Sequence, residues 1–168
     1  MSDYQLRLLD PSIDRALYET AYQWRSKPKK HVQPDRMPLK DFLADDPRHL
    51  TIGLFNGELQ AVYFLDEFEP TKYEAHFSSR RDVSRETLLS GASTVASLLL
   101  SNGATEICAW VTKRNTPLRS FLESLGFTPD SVSEFPCQEG EDSPTLHPER
   151  NQRIFVRYSL KRTIPPFP

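Results

Sequence analysis

The stretch from Lys72 to Phe127 constrains the fold more than any other part of the chain. It reads as a strand (Lys72 to Ser78), an arginine-bearing turn (Ser79 to Arg85), a long helix to about Asn102, a second strand (Thr105 to Thr112) and a short helix closing on Leu125-Gly126-Phe127. Leu88, Ala92, Val95, Ala96 and Leu99 recur at helical steps, and Leu89 and Leu100 widen the stripe, so the long helix should lie flat on a sheet. Asn102-Gly103 is a C-terminal cap pair. Ile107, Ala109 and Val111 alternate with Cys108 and Trp110, the pattern of a strand covered on both faces. Leu118, Phe121, Leu122 and Leu125 give the short helix its stripe, and Gly126 stops it. Strand, helix, strand is a right-handed crossover, and its polar turn falls where open α/β sheets bind ligands.

The flanking segments fill out an α/β domain. Tyr4 to Leu9 alternates as a half-buried strand with Leu6 and Leu8 on one face. Asp10-Pro11 reads as an N-cap with proline at the first helical position, and Ile13, Leu17, Ala21 and Trp24 form the stripe of the helix that follows. Lys27 to Lys40 is a basic, proline-broken loop, with a short helix expected from Pro38 to Ala44. Leu50 to Phe55, Asn56-Gly57 and Glu58 to Leu65 predict a hairpin on a type I′ turn, with both central residues at positive φ. Gln152 to Leu160 alternates as a last strand, preceded by an acidic loop, Cys137 to Arg150, and followed by a proline-rich tail. The expectation is one α/β domain, with a central mixed sheet of six to seven strands and helices on both faces.

Composition narrows the function. A length of 168 residues at 38% hydrophobic suits one domain with its own core, and a formal charge of −2 gives no pull toward nucleic acid. Apolar runs are too short to span a membrane, and Met-Ser-Asp-Tyr has no mark of a signal peptide. With two cysteines, Cys108 mid-strand and Cys137 in a loop, a reduced cytoplasmic setting is the expectation. His31, His49 and His147 read as solvated loop residues. No metal-ligand spacing, nucleophile elbow or cysteine-nucleophile motif is present.

Chemistry is expected at the turn and on the strand before it. A helix N-terminus offers unpaired N–H groups and a partial positive charge, which suits phosphate. Arg80, Arg81 and Arg85 surround that point, and guanidinium forks match phosphate oxygens. The same residues also suit a plain exposed turn capped by Ser84. Glu74 and His76, two apart, share a strand face. Imidazole titrates near neutrality, so His76 is the better base of the two, though a hydrogen-bonded strand-end histidine is the reading its type and place favour over a catalytic one.

Taken together, Arg81-x-x-Ser84-x-Glu86-Thr87-Leu88-Leu89, the helix, the strand, and Asn115 eleven residues before Gly126-Phe127 resemble the GNAT superfamily of acyl-coenzyme A-dependent N-acyltransferases. The resemblance implies a GNAT-like domain over residues 1–162 with a tail at 163–168, and acetyl-CoA as cofactor. Its pyrophosphate would lie at Arg81, Ser84, Arg85, Glu86 and Thr87. Its pantetheine arm would lie between the strands Glu74 to Ser78 and Ile107 to Val111, in reach of Phe77, Ser78 and Asn115. The implied reaction is transfer of an acetyl group to a primary amine, of a small molecule or a protein, with Glu74 or His76 as base and backbone N–H near Phe77 polarising the thioester. Ser84 and Glu86 replace two glycines of the family's turn, and Leu122 stands where a tyrosine acid is frequent. Those departures carry an alternative: a catalytically reduced scaffold acting through protein contacts at the basic loop, the acidic loop and the tail. The histidine-phenylalanine-serine strand end is similar to GNAT proteins of tailed bacteriophages, so this alternative includes a virion component.

Overall fold

The computed structural model describes residues 3–26, 48–136 and 152–163. The basic loop at 27–40, the short helix expected at 38–44, the acidic loop at 137–150 with Cys137 and His147, and residues 164–168 of the tail lie outside them. The elements are β1 (Gln5–Leu8), α1 (Arg15–Ser26), β2 (His49–Asn56), β3 (Glu58–Glu69), β4 (Lys72–Ser79), α2 (Arg85–Ser101), β5 (Glu106–Thr112), α3 (Thr116–Ser124), β6 (Thr128–Pro136) and β7 (Gln152–Lys161). Seven strands form one sheet in the order β1-β2-β3-β4-β5-β7-β6. Every neighbouring pair is antiparallel except β4 with β5. The expected α/β domain with its mixed sheet is therefore observed.

Helices cover the two faces unequally. The larger core joins Tyr63, Leu65, Ile107, Ala109, Val111 and Tyr158 of the sheet to Val95 and Leu99 of α2 and Leu122 of α3. On the other face α1 buries Tyr18 and Ala21 against Leu59, Val62 and Phe64. Local signals placed most boundaries. Ser84 caps α2 through its Oγ on the Thr87 N–H, Gly103 takes φ +107 just past its end, and Gly126 takes φ +90 after α3.

Four expectations need correction. Helix α1 starts at Arg15, because Asp10 caps a turn instead: its carboxylate accepts from the N–H and hydroxyl of Ser12, and Ile13 and Asp14 both donate N–H to its carbonyl. Ile13 is consequently left exposed, and Tyr18 takes its place in the buried stripe. Leu8 is exposed, while Leu9, just beyond the strand, is buried under α1. The hairpin turns on Gly57 alone at φ +72, with Asn56 paired to Glu58 and at negative φ, so the turn is not type I′. Finally, β6 has no counterpart among the expected elements: Pro129 and Pro136 mask it, and prolines are tolerated there because β6 is an edge strand.

Helix α2 approaches β3 closely at Gly91. A Cβ there would lie 2.4 Å from the Tyr63 Oη and 3.3 Å from the Leu54 Cδ2. Tyr63 cannot simply swing away, because it is buried and donates its hydroxyl to the Leu88 carbonyl at 2.9 Å. Alanine would gain about 1 kcal/mol of helix propensity, but overpacking costs about 1–3 kcal/mol and the buried hydrogen bond is disturbed. Gly91→Ala should lower stability by about 1–2 kcal/mol in urea denaturation, and by less in a Tyr63→Phe background. A stabilised Gly91→Ala protein would contradict this packing.

Candidate active site

The parallel pair β4–β5 is incomplete. Three rungs form, Lys72 with Glu106, Tyr73 with Ile107 and Glu74 with Cys108, and beyond them the strands part. Each strand is held along its outer edge instead, β4 by β3 and β5 by β7, so the accumulated twist opens the gap. The closed end is clamped by Thr71, which sits at φ +67, unusual for a β-branched residue. Its carbonyl accepts from the Thr105 N–H at 2.8 Å and its own N–H donates to Glu67 at 3.0 Å.

Parity decides which backbone groups face the gap. Arg80 donates its N–H to Gln60 of β3, so the even residues of β4 point toward β3. Ala75 and Phe77 therefore turn their N–H and C=O groups toward the opening. Behind it lies a cavity of about 240 Å³ between the sheet, α2 and α3. Phe77 and Phe121 in its lining stack on one another, with ring centroids 5.2 Å apart. Leu122 is buried in its wall.

At the mouth stands the N-terminus of α2. Among the described residues no acceptor takes the backbone N–H of Arg85 or Glu86, whereas that of Thr87 is used by Ser84. The Thr87 hydroxyl also reaches the Tyr4 hydroxyl at 3.2 Å, tying the start of the chain to this turn. Arg85 donates to Ser124 Oγ at 3.1 Å and Ser120 Oγ at 3.4 Å on α3; both are neutral, so its charge stays uncompensated there. Arg81 and Glu86 are exposed, and Glu86 does not line the cavity. Arg80 is directed elsewhere, to Glu58 and Asp82. Ser78 is also turned away: its hydroxyl donates to the Ala21 carbonyl of α1 at 3.1 Å and its backbone faces β3. Asn115 accepts from the Leu118 N–H at 3.2 Å as the cap of α3.

The opposite face carries the titratable groups. His76 Nε2 and Glu74 Oε1 are 3.2 Å apart, about a third exposed, and His76 lines the gap. The hydrogen bond from His76 is the main reason the Glu74 carboxyl titrates below its ordinary value, with burial opposing and Arg157 assisting. An ionised Glu74 only accepts, so Nε2 carries the hydrogen and Nδ1 is left as the basic nitrogen. His49 opens β2 and pairs with Asp66, which corrects its reading as a loop residue.

Two features escape a reading of the sequence. Arg157, half-buried on β7, bridges the buried Glu106 and, at 2.5 Å, the exposed Asp130. The available signal was a charge within the apolar alternation of β7. Beside it Cys108 is buried, which pushes its thiol up to about 11 and leaves it unreactive at neutral pH. The second is the Phe77–Phe121 stack, which joins two elements and has no local signature.

A seven-stranded mixed sheet whose central parallel pair splays open beside a helix N-terminus is the GNAT acetyltransferase fold. Among solved structures the chain is similar to the ribosomal-protein-S18-alanine N-acetyltransferase of Escherichia coli, with 16% identity, a TM-score of 0.69, and coverage of 96% of this chain and 95% of that one. It is similar also to a Bacillus subtilis acetyltransferase in complex with CoA, with 15% identity, TM-score 0.70, and coverage of 95% and 99%. A third is a mutant of the spermidine N-acetyltransferase SpeG of Vibrio cholerae, with 11% identity, TM-score 0.71, and coverage of 96% and 95%. No protein-family model and no curated protein matches the sequence. The bacteriophage likeness and the docking role gain no support from these acetyltransferases.

Proposed function

We propose that the protein transfers an acyl group from an acyl-coenzyme A to a primary amine. The observation that carries this reading is the splay itself: an unpaired strand edge at Ala75 and Phe77 leads from a cationic helix terminus into an apolar cavity. The fit is chemical. Pantetheine carries amide groups that pair with a free strand edge, and a pyrophosphate suits the N–H groups of Arg85 and Glu86 between Arg81 and Arg85. Glu86 is exposed and does not line the cavity.

The coenzyme would supply an activated thioester carbonyl, and the chain's residues the rest. Backbone N–H of Phe77 or Ala75 polarises the carbonyl oxygen. His76 accepts the proton of the attacking amine at Nδ1, directly or through water, while Glu74 orients the ring and stabilises its charged form. The carbon–nitrogen bond forms as the carbon–sulfur bond breaks. A thiol is a far stronger acid than an amine and leaves as thiolate without strong acid assistance, so Leu122 in place of a hydroxyl is compatible with turnover.

Calorimetric titration with acetyl-CoA tests the binding half. A single saturable site is expected, weakened at high salt because arginines and a helix terminus hold the phosphates. Release of free thiol on adding spermidine or an alanine-initiated peptide, acceptors suggested by two of the structural neighbours, tests the chemistry. Absence of heat and of any thermal shift at millimolar ligand would remove the reading.

A further inference from the structure

The cavity behind the splay is larger and deeper than a two-carbon acyl group requires. It does not end where the strands meet. Ile107, on the second closed rung, lines it, as do Leu65 on β3 and Val95 and Leu99 on α2. From Ala92 to Leu99 the lining follows α2 for roughly 10 Å. The room exists because four positions around it are alanine: Ala75 and Ala109 on the strands, Ala92 and Ala96 on the helix.

The deep end is also uniformly apolar. Of the polar side chains in the lining, Tyr63 is bonded to the Leu88 carbonyl, and His76 and Trp110 lie at the splay, beyond the closed rungs. The whole cavity, from the splay at Phe77 and Trp110 down to this end, measures about 240 Å³, and an enclosed apolar space of about 150 Å³ already takes up benzene.

We propose that the acyl donor is a medium-chain thioester, its hydrocarbon tail of about six to eight carbons running past the closed rungs into the space between Leu65, Val95, Leu99 and Ile107. This rests on the acyl-coenzyme A reading above. Ala96 and Ala92 are then the residues that set chain length, since any larger side chain there occupies the place of the tail.

Titration calorimetry of the full chain with CoA, acetyl-CoA, hexanoyl-CoA and octanoyl-CoA decides the matter. Each buried methylene is worth about a fourfold gain in affinity before losses, so hexanoyl-CoA should bind at least tenfold tighter than acetyl-CoA, with a more negative heat-capacity change. Ala96→Leu should abolish that preference and leave acetyl-CoA affinity within about twofold. Ala92→Leu serves as a second plug if the first variant unfolds, as judged by its melting curve. Normal binding of acetyl-CoA with no gain for the longer thioesters would overturn the chain-length inference and leave the parent reading standing. Failure of all four ligands to bind would overturn both.

Discussion

His76→Ala should lower acyl transfer by roughly 100- to 10,000-fold, the span general-base catalysis commonly supplies. Coenzyme binding should be unchanged within about twofold, because the imidazole lies on the sheet face opposite α2 and α3 and touches no proposed phosphate contact. Glu74→Gln should be milder, about tenfold, since it removes the charge that stabilises imidazolium but leaves the ring in place. The pH profile separates catalysis from structure. The pH dependence of kcat/KM should differ in shape between wild type and His76→Ala, whereas a purely structural role would leave that shape unchanged. Stability below pH 4.5 gives an independent readout. Glu74 is held below its ordinary value of 4.5, so its contribution is full above that value and lost as pH falls through the lowered one. His76→Ala, which removes the main cause of the lowering, should flatten this acid limb. A variant with wild-type turnover would sink the assignment of the base.

Arg157→Ala should be strongly destabilising. Arg157 neutralises Glu106 and Asp130, and the three side chains are 20%, 11% and 27% exposed. Removing the cation leaves the buried Glu106 carboxylate without its counter-charge. Breaking a buried pair costs about 3–5 kcal/mol, and partial exposure reduces this to about 2–4 kcal/mol. For a domain of this size that is roughly 6–12 °C in Tm. The loss should depend on pH in a defined direction. Burial raises the Asp130 pKa, but hydrogen bonds from Ser159 and Arg157 and the Arg157 charge outweigh it and hold the group below 3.8. That stabilisation is present above 3.8 and disappears as pH falls through the lowered value. Wild type and variant should therefore differ most near neutrality and converge in strong acid. A gap that widens on acidification, in denaturation curves taken from about pH 7 to about pH 3, would show that the cluster is not held by this cation.

The cluster also bears on the active site. Glu106 and Cys108 occupy rungs that close the β4–β5 pair, and Arg157 stands opposite Trp110 on β7. From this side it ties β5 to β7 and β6, along the edge of β5 away from β4.

What could be read from residues alone was whatever depends on near neighbours in the chain. The leucine and alanine spacing of α2, its Ser84 and Asn102-Gly103 caps, the apolar β5 and the stop at Gly126 all appear as expected, because side-chain period and backbone φ are local properties. The turn beside the helix, and Glu74 with His76 on one face, were legible for the same reason. Ile13, Leu8 and β6 depart from expectation, because exposure and edge position depend on which element packs alongside. Tertiary structure alone decided that Arg80 and Ser78 turn away from the gap while Arg85 crosses to α3. It alone brought Arg157 to Glu106 and Asp130, and left a space among four alanines. Sequence determined the elements because their hydrogen bonds close within a few residues. The open wedge, its depth and its charges arise between residues distant along the chain, where twist and packing set the geometry.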